Sequence, residues 1–457
     1  MATTNGFHAT SNLDPASFPP EDIVSKDVCI IGGGGSGTYT AIRLRDHNKS
    51  VVVIEPKSRL GGHASTYKDP MTGSTLDIGV IVFGHLEEVK RFFARFDIPL
   101  KLVPTSLGPP DYVDFNTGKT VDFTPPDQKA VSAAFQRYAA QISKYPEVQS
   151  GFELTYPVPE DLLLPFGQFV QKHSIEALVS TIFAICQGYT SLLELSTLYV
   201  FKYFNADLLD TLSRGFLMTE RHNVGELYEK AAVELGNDAW LDTSVIAMDR
   251  SLASGPVRIL VKAPTGRKLI LAKKVVSTVP HKLENLHGYD LSTDEKSLFG
   301  QFFHSAYYTG AICNTGLPMS APIHAVGDGK PHGVPELPGI YALNPHSHSG
   351  LFQVYFGSPY EMSEEEVKAE IIAAVQRIQK ARNISTANAP EFAAFENHTP
   401  FNMMVSNQAI RDGFYEKLCA LQGQRHTFYN GASFHTQDSS VLWRFTEELL
   451  PRILAGI

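Results

Sequence analysis

The run Gly32-Gly33-Gly34-Gly35-Ser36-Gly37 places glycines at the first, third and sixth positions of a GxGxxG turn, and the chemistry open to such a turn is to hold a diphosphate. Gly32 permits the tight turn, Gly34 lets backbone approach the phosphates, and Gly37 lets a following helix lie close against the preceding strand. Gly35 and Ser36 lead into that helix, whose free N–H groups and positive dipole end face the anion. Glu55 lies about 20 residues beyond the loop, where a carboxylate meets ribose hydroxyls and favours an unphosphorylated ribose. Together these residues predict a dinucleotide site.

Three elements must position them. Residues 27–31, Asp-Val-Cys-Ile-Ile, form an apolar, β-branched run suited to a parallel strand buried on both faces, with Cys29 in the core. A helix is expected over 38–46 and a second buried strand over 50–54, ending at Glu55. Residues 1–25 are polar, carry Pro15, Pro19 and Pro20, and are expected to be a flexible surface tail.

Composition narrows the class. The chain has 457 residues, 43% hydrophobic and 19% charged, enough for large cores and more than one lobe. Its net charge of -9 gives no basic field for nucleic acid. Cys29, Cys186, Cys313 and Cys419 are far apart and form no CxxC pair, which fits a reduced intracellular compartment. No apolar run reaches the roughly 18 residues that cross a bilayer, and the start lacks signal-peptide character. A soluble, cytoplasmic protein with no integral membrane segment is expected. Sequons at Asn48, Asn383 and Asn397 are read as chance occurrences.

Beyond Glu55 the chain reads Pro56-Lys57-Ser58-Arg59-Leu60-Gly61-Gly62-His63-Ala64-Ser65-Thr66. This continuation resembles the flavin amine oxidase superfamily, which implies FAD in place of a nicotinamide cofactor. In that resemblance Pro56 follows the ribose-binding acid, Arg59 neutralises diphosphate charge, and Gly61 and Gly62 leave room for backbone on the ribityl chain. His63 stands where many relatives have a second arginine, and it lacks that residue's permanent fork of donors. The stretch Asp77-Ile78-Gly79-Val80 is similar to the segment that brings backbone beneath the flavin. Val245 matches the residue that bonds adenine through its backbone. Thr427-Phe428-Tyr429-Asn430-Gly431-Ala432 is similar to the last strand and its glycine turn. Ser440 and Val441 then open a helix aimed at the flavin pyrimidine, after Asp438 and Ser439.

The implied fold is α/β: a Rossmann-like FAD-binding domain assembled from residues 26–90, 225–285 and 401–457, with a mixed α+β substrate or cap domain from 91–224 and 286–400. Helical periodicity marks 162–173, 175–186 and 192–204, and Gly188 interrupts the run beside Tyr189. An apolar cavity is expected where the lobes meet, with Tyr189, Tyr307, Tyr308, Tyr355 and Phe401 as candidate walls. His346 and His348 are read as a solvated loop, and no metal is expected. Residues 327–339 read as an irregular connection.

Superfamily members that oxidise amines place a lysine near the flavin N5, and the matching stretch 305–312 has none. The chain thus looks nearer the branch holding polyenoic fatty acid isomerase and β-cyclopiazonate dehydrogenase. The implied reaction is hydride abstraction from an apolar small molecule, giving desaturation or oxidative cyclisation. Redox-neutral double-bond isomerisation, amine oxidation and a non-catalytic flavoprotein are the alternatives. His63, Tyr189 and Asn430 are the candidates for shaping the flavin environment.

Overall fold

The computed structural model describes residues 13–104, 109–252, 255–346 and 350–457. A seven-stranded sheet runs in the order Ser244–Asp249, Val257–Ala263, Gly266–Ser277, Ile23–Ile31, Val51–Ile54, Ala239–Trp240, with Thr427–Tyr429 also paired to Gly266–Ser277. Its centre is parallel: Val28 to Ile31 pair with Val51 to Ile54, and the same strand pairs with Gly266–Ser277. Val28 to Ile31 and Val51 to Ile54 are all buried, which explains why the sequence shows solid apolar runs here rather than alternation.

The first strand begins at Ile23, four residues before the expected start, because Ile23 to Lys26 pair with Leu269 to Ala272. The short turns Pro15–Ser17 and Pro20–Asp22 precede it. The expected flexible tail therefore fails for Ile23 to Ser25, and residues 1–12 lie outside the described residues. Helix α1, Gly35–Asp46, follows the glycine turn directly. A Cβ on Gly37 would lie 1.9 Å from the carbonyl oxygen of Gly32, so only glycine permits this approach of helix to strand.

A second seven-stranded sheet runs Glu391–Asn397, Ala306–Cys313, Leu351–Ser358, Gly339–His346, Ile323–Ala325, Asp111–Asp114, Lys119–Thr120. The helix Glu364–Ala381, opened by a Ser363/Glu366 capping box, buries Val367, Ile371, Ala374, Val375 and Ile378 in the core of this sheet. The helical region is more broken than its periodicity predicts. Glu160–Leu163 and Phe166–His173 are separated at Pro165, whose ring and missing N–H end a helix. Val179–Ile185 and Thr197–Tyr203 are shorter than expected, and Gly188 has a φ of 78° in the break between them. Residues 327–339 contain the short turn Pro331–Gly333.

Candidate functional site

At the mouth of the first sheet the chain turns at Gly32, with a φ of 104°. The Gly33 N–H donates to Glu55 Oε2 at 2.7 Å and the Lys57 N–H donates to Oε1 at 2.8 Å, fixing a carboxylate that is 6% exposed. Thr243 N–H donates to the Glu55 carbonyl, and Val245 sits at the irregularity two residues on. A Cβ on Gly34 would meet nothing nearer than Gly62 Cα at 3.8 Å, which leaves an open cradle above the turn. A Cβ on Gly62 would lie 2.9 Å from Gly34 Cα, and Gly61 and Gly62 both have positive φ. The two glycine runs thus touch backbone to backbone.

Two further helices close on this turn. From α2, Gly225–Leu235, the Tyr228 hydroxyl reaches 3.2 Å from where a Cβ of Gly35 would stand. That hydroxyl is buried with no hydrogen-bond partner. From α3, Ser439–Leu454, Trp443 Nε1 donates to the Gly35 carbonyl at 3.1 Å. A buried orphan donor calls for an acceptor, and a diphosphate oxygen in the cradle would supply one. The residues present therefore fit FAD. Sequence reasoning missed Tyr228, which carries no local motif. Arg59, expected at the diphosphate, donates from its guanidinium to the carbonyls of Gly62 and Ala64 and lies 3.6 Å from Glu396, bracing the glycine pair. Pro56 is exposed.

Beside the turn opens a cavity of about 590 Å³. Its floor is the segment from Gly79 to Gly84, drawn against the glycine pair so tightly that a Cβ on Gly79 would lie 1.8 Å from the His63 carbonyl oxygen. Val80, Ser440 and Val441 line it, and Ser440 Oγ accepts from the Gly84 N–H at 3.0 Å. Asp438 caps α3 by accepting from the Ser440 N–H.

His63 lies in the cavity wall, edge to face with His398 at 4.9 Å. Burial, with His398 adding to it, holds the His63 imidazole down at about 3, so the ring is neutral at physiological pH. Burial likewise brings His398 to about 4, with its Nε2 3.2 Å from the Ile78 carbonyl oxygen. Asp77 is the opposite case. Burial raises its carboxyl to about 7, Oδ1 accepts from Thr66 and from the Val224 N–H, and Oδ2 has no partner.

The expected walls divide by strand parity. Tyr307, Tyr355 and Phe401 line the cavity, whereas Tyr308 points to the other face and donates to the Met362 carbonyl. Tyr189 is buried away from the cavity lining, its hydroxyl 3.1 Å from Thr436 Oγ1. Asn430 is also removed from it: its amide donates to Thr446 Oγ1 and its carbonyl oxygen accepts from the Gly431 N–H, which fixes the turn before α3. Gly431 has the positive φ expected of that turn. His346 is not in a solvated loop; it ends the strand Gly339–His346 and lines the cavity. His348 lies outside the described residues. Among the described residues no cluster of three or more His, Cys, Asp or Glu could hold a metal, and no helix is long and apolar enough to cross a membrane.

A glycine-turn dinucleotide cradle beside a lined cavity, under a second sheet, defines the class: a flavoprotein oxidoreductase with a Rossmann-like cofactor fold. The chain belongs to the family of flavin containing amine oxidoreductases, whose pattern matches residues 36–399. It is 37% identical over 453 residues to FAD-dependent oxidoreductase oblC of Cochliobolus heterostrophus, covering 96% of this chain and 93% of that one. It is 35% identical over 437 residues to the β-cyclopiazonate dehydrogenase of Aspergillus oryzae, covering 95% and 94%. Among solved structures it is similar to a CLA-producing fatty acid isomerase from P. acnes, with a TM-score of 0.76, 19% identity and coverage of 94% and 99%. A putrescine oxidase bound to putrescine shares the fold at a TM-score of 0.66 and 16% identity, with coverage of 95% and 100%. The protein is an FAD-dependent oxidoreductase of this family, on the branch that the absence of a lysine from 305–312 indicated.

Proposed function

We propose that the enzyme removes hydride from a C–H bond of an apolar small molecule, giving a desaturated or oxidatively cyclised product of secondary metabolism. The observation that carries this is the cavity wall: Tyr307, Tyr355 and Phe401 with the apolar segment from Val80 to Phe83, and no lysine on the strand Ala306–Cys313. FAD when bound supplies the two-electron acceptor. The chain holds a flat substrate between aromatic faces, excludes water, and keeps His63 and His398 uncharged beside it. Asp77, with its carboxyl near neutrality, sits in the same wall as a group able to carry a proton.

In this reading the cradle of Gly32, Gly34, Gly35, Ser36 and Gly37 takes the diphosphate, Glu55 the ribose and the Val245 backbone the adenine, with Ser440 and Val441 at the pyrimidine edge. The cofactor lobe is 26–90, 225–285 and 401–457, and the substrate lobe is the remainder from 91 to 400. The composition of the two sheets supports that division. The unpaired state of all four cysteines agrees with a cytoplasmic setting.

The test is anaerobic mixing of the holoenzyme with a panel of apolar small molecules that includes β-cyclopiazonate, the compound named by the relative. Bleaching of the visible flavin band and a product lighter by two hydrogens are the expected result. Product of unchanged mass would replace this reading with isomerisation. Bleaching by putrescine, with peroxide formed on admitting air, would replace it with amine oxidation.

A further inference from the structure

One part of the cavity wall is built by the antiparallel strands Leu100–Val103 and Phe216–Thr219 and by the turn that follows them. Lys101 pairs in register with Met218, and both line the cavity together with His222. Lys101 Nζ lies 3.0 Å from His222 Nε2. An ammonium has no lone pair, so Lys101 donates and His222 accepts, which puts the ring proton on Nδ1. The other contact of the ammonium is long, 3.5 Å to the Glu220 carbonyl oxygen. The His346 ring stands 6.0 Å from that of His222 and faces the same cavity.

Lys101 is the one Lys or Arg among the described residues that line the cavity, and no ion pair to it occurs among the described residues. None of the wall's carboxylates pairs with it. Asp207 is held by Arg444, Asp438 caps α3, and Asp77 accepts from Thr66 and Val224. Elsewhere in this acidic chain the buried cations are fully engaged, Arg250 by the carboxylates of Asp290 and Glu295 and Lys202 by the carbonyls of Val148 and Gly151. The half-exposed ammonium, across from Met218 in a wall that also holds Leu76 and Phe216, meets no carboxylate among the described residues, which leaves it open to an anionic group of a ligand in the cavity.

We infer that Lys101, oriented by His222, binds an anionic oxygen group of the substrate, a carboxylate or an ionised acidic enol, while the apolar remainder fills the cavity. This rests on the reading of an apolar substrate and adds an acidic head to it. No electron or proton moves in this step, so it is tested on the oxidised holoenzyme without turnover.

The probes are decanoate, a decyl-substituted cyclic diketone ionised as its enolate, and decan-1-ol as the neutral match, each titrated against the visible flavin spectrum. Wild type should bind at least one acid about tenfold more tightly than the alcohol, the preference worth about 1.4 kcal/mol. Whichever acid is preferred assigns the head group. Lys101→Met should abolish the preference and leave the alcohol unaffected, and Lys101→Arg should keep it. Equal binding of acids and alcohol by wild type overturns the inference and leaves the apolar reading standing. So does a Lys101→Met variant that weakens acid and alcohol alike, or a Lys101→Arg variant that loses the preference. If none of the three probes perturbs the flavin, both the inference and the apolar reading fall.

Discussion

The glycine turn and the cavity beside it are built from different materials. At the turn, the contacts that matter are main chain to main chain: Gly37 against the Gly32 carbonyl, Gly62 against Gly34, Gly79 against the His63 carbonyl. In the cavity they are side chains delivered from separate stretches, with Lys101, Tyr307, Tyr355 and His398 far apart in sequence. A backbone-built site has no room for an added methyl at these three contacts, whereas a side-chain wall can be altered one residue at a time. Chemistry common to a family can therefore reside in the first while substrate choice drifts in the second.

The largest expected effect breaks the backbone-built half. Gly37→Ala forces a Cβ to 1.9 Å from a carbonyl oxygen, and a loss of about 4 kcal/mol or more, with little flavin retained, should appear in urea unfolding and in the visible spectrum. Unchanged flavin content would show that helix and strand can separate at no cost.

Next comes the pH dependence of the cavity half. The Asp77 carboxyl is raised from 3.8 to about 7 by burial, so the fold binds its proton more tightly than the unfolded chain does. Its stabilising contribution is complete below pH 3.8 and is lost as pH rises through about 7. Asp77→Asn should remove that decline, worth a few kcal/mol at most on an order-of-magnitude scale, as read from melting temperature against pH. His63 has the opposite sign: its value falls from 6.5 to about 3, so its contribution is present above pH 6.5 and lost as pH drops. Parallel pH profiles for wild type and Asp77→Asn would contradict the assignment.

A smaller effect sharpens the contrast at the turn. Tyr228→Phe removes a hydroxyl that is unpartnered in the protein alone. Apoprotein stability should be unchanged or slightly higher, while FAD affinity falls by about 1 kcal/mol, a factor of roughly five, in a fluorescence titration. Loss of stability without loss of affinity would place the hydroxyl elsewhere. The smallest is Tyr189→Phe. Its hydroxyl meets Thr436 away from the cavity, so a cost of about 1 kcal/mol or less is expected, with flavin spectrum and turnover unaltered.

The same division governs what the sequence made legible. Gly32, Gly37, Glu55 and the strands around them follow local backbone rules, and their spacing alone placed them. Gly431 was legible for the same reason. Tyr189 and Asn430 stand off the cavity lining, a position the sequence did not disclose because adjacency to a break or a turn does not say which face a side chain takes. Tyr307 and Tyr308 are neighbours on one strand and part by parity alone, so only the register separates wall from core. Lys101, His222 and His398 carry no local signature, since each becomes meaningful only when distant segments converge. The break at Pro165 was readable in principle, because a proline inside a helical period is a stop. The family pattern extends over 36–399, across the helical region where short motifs gave little.

The touching of Gly34 and Gly62 ties together two loops that look independent on paper. A side chain introduced at position 62 would wedge the nucleotide cradle open from behind, so substitutions in the two loops should show strong energetic coupling in a double-mutant cycle. Engineering of either loop must treat the pair as one mechanical part.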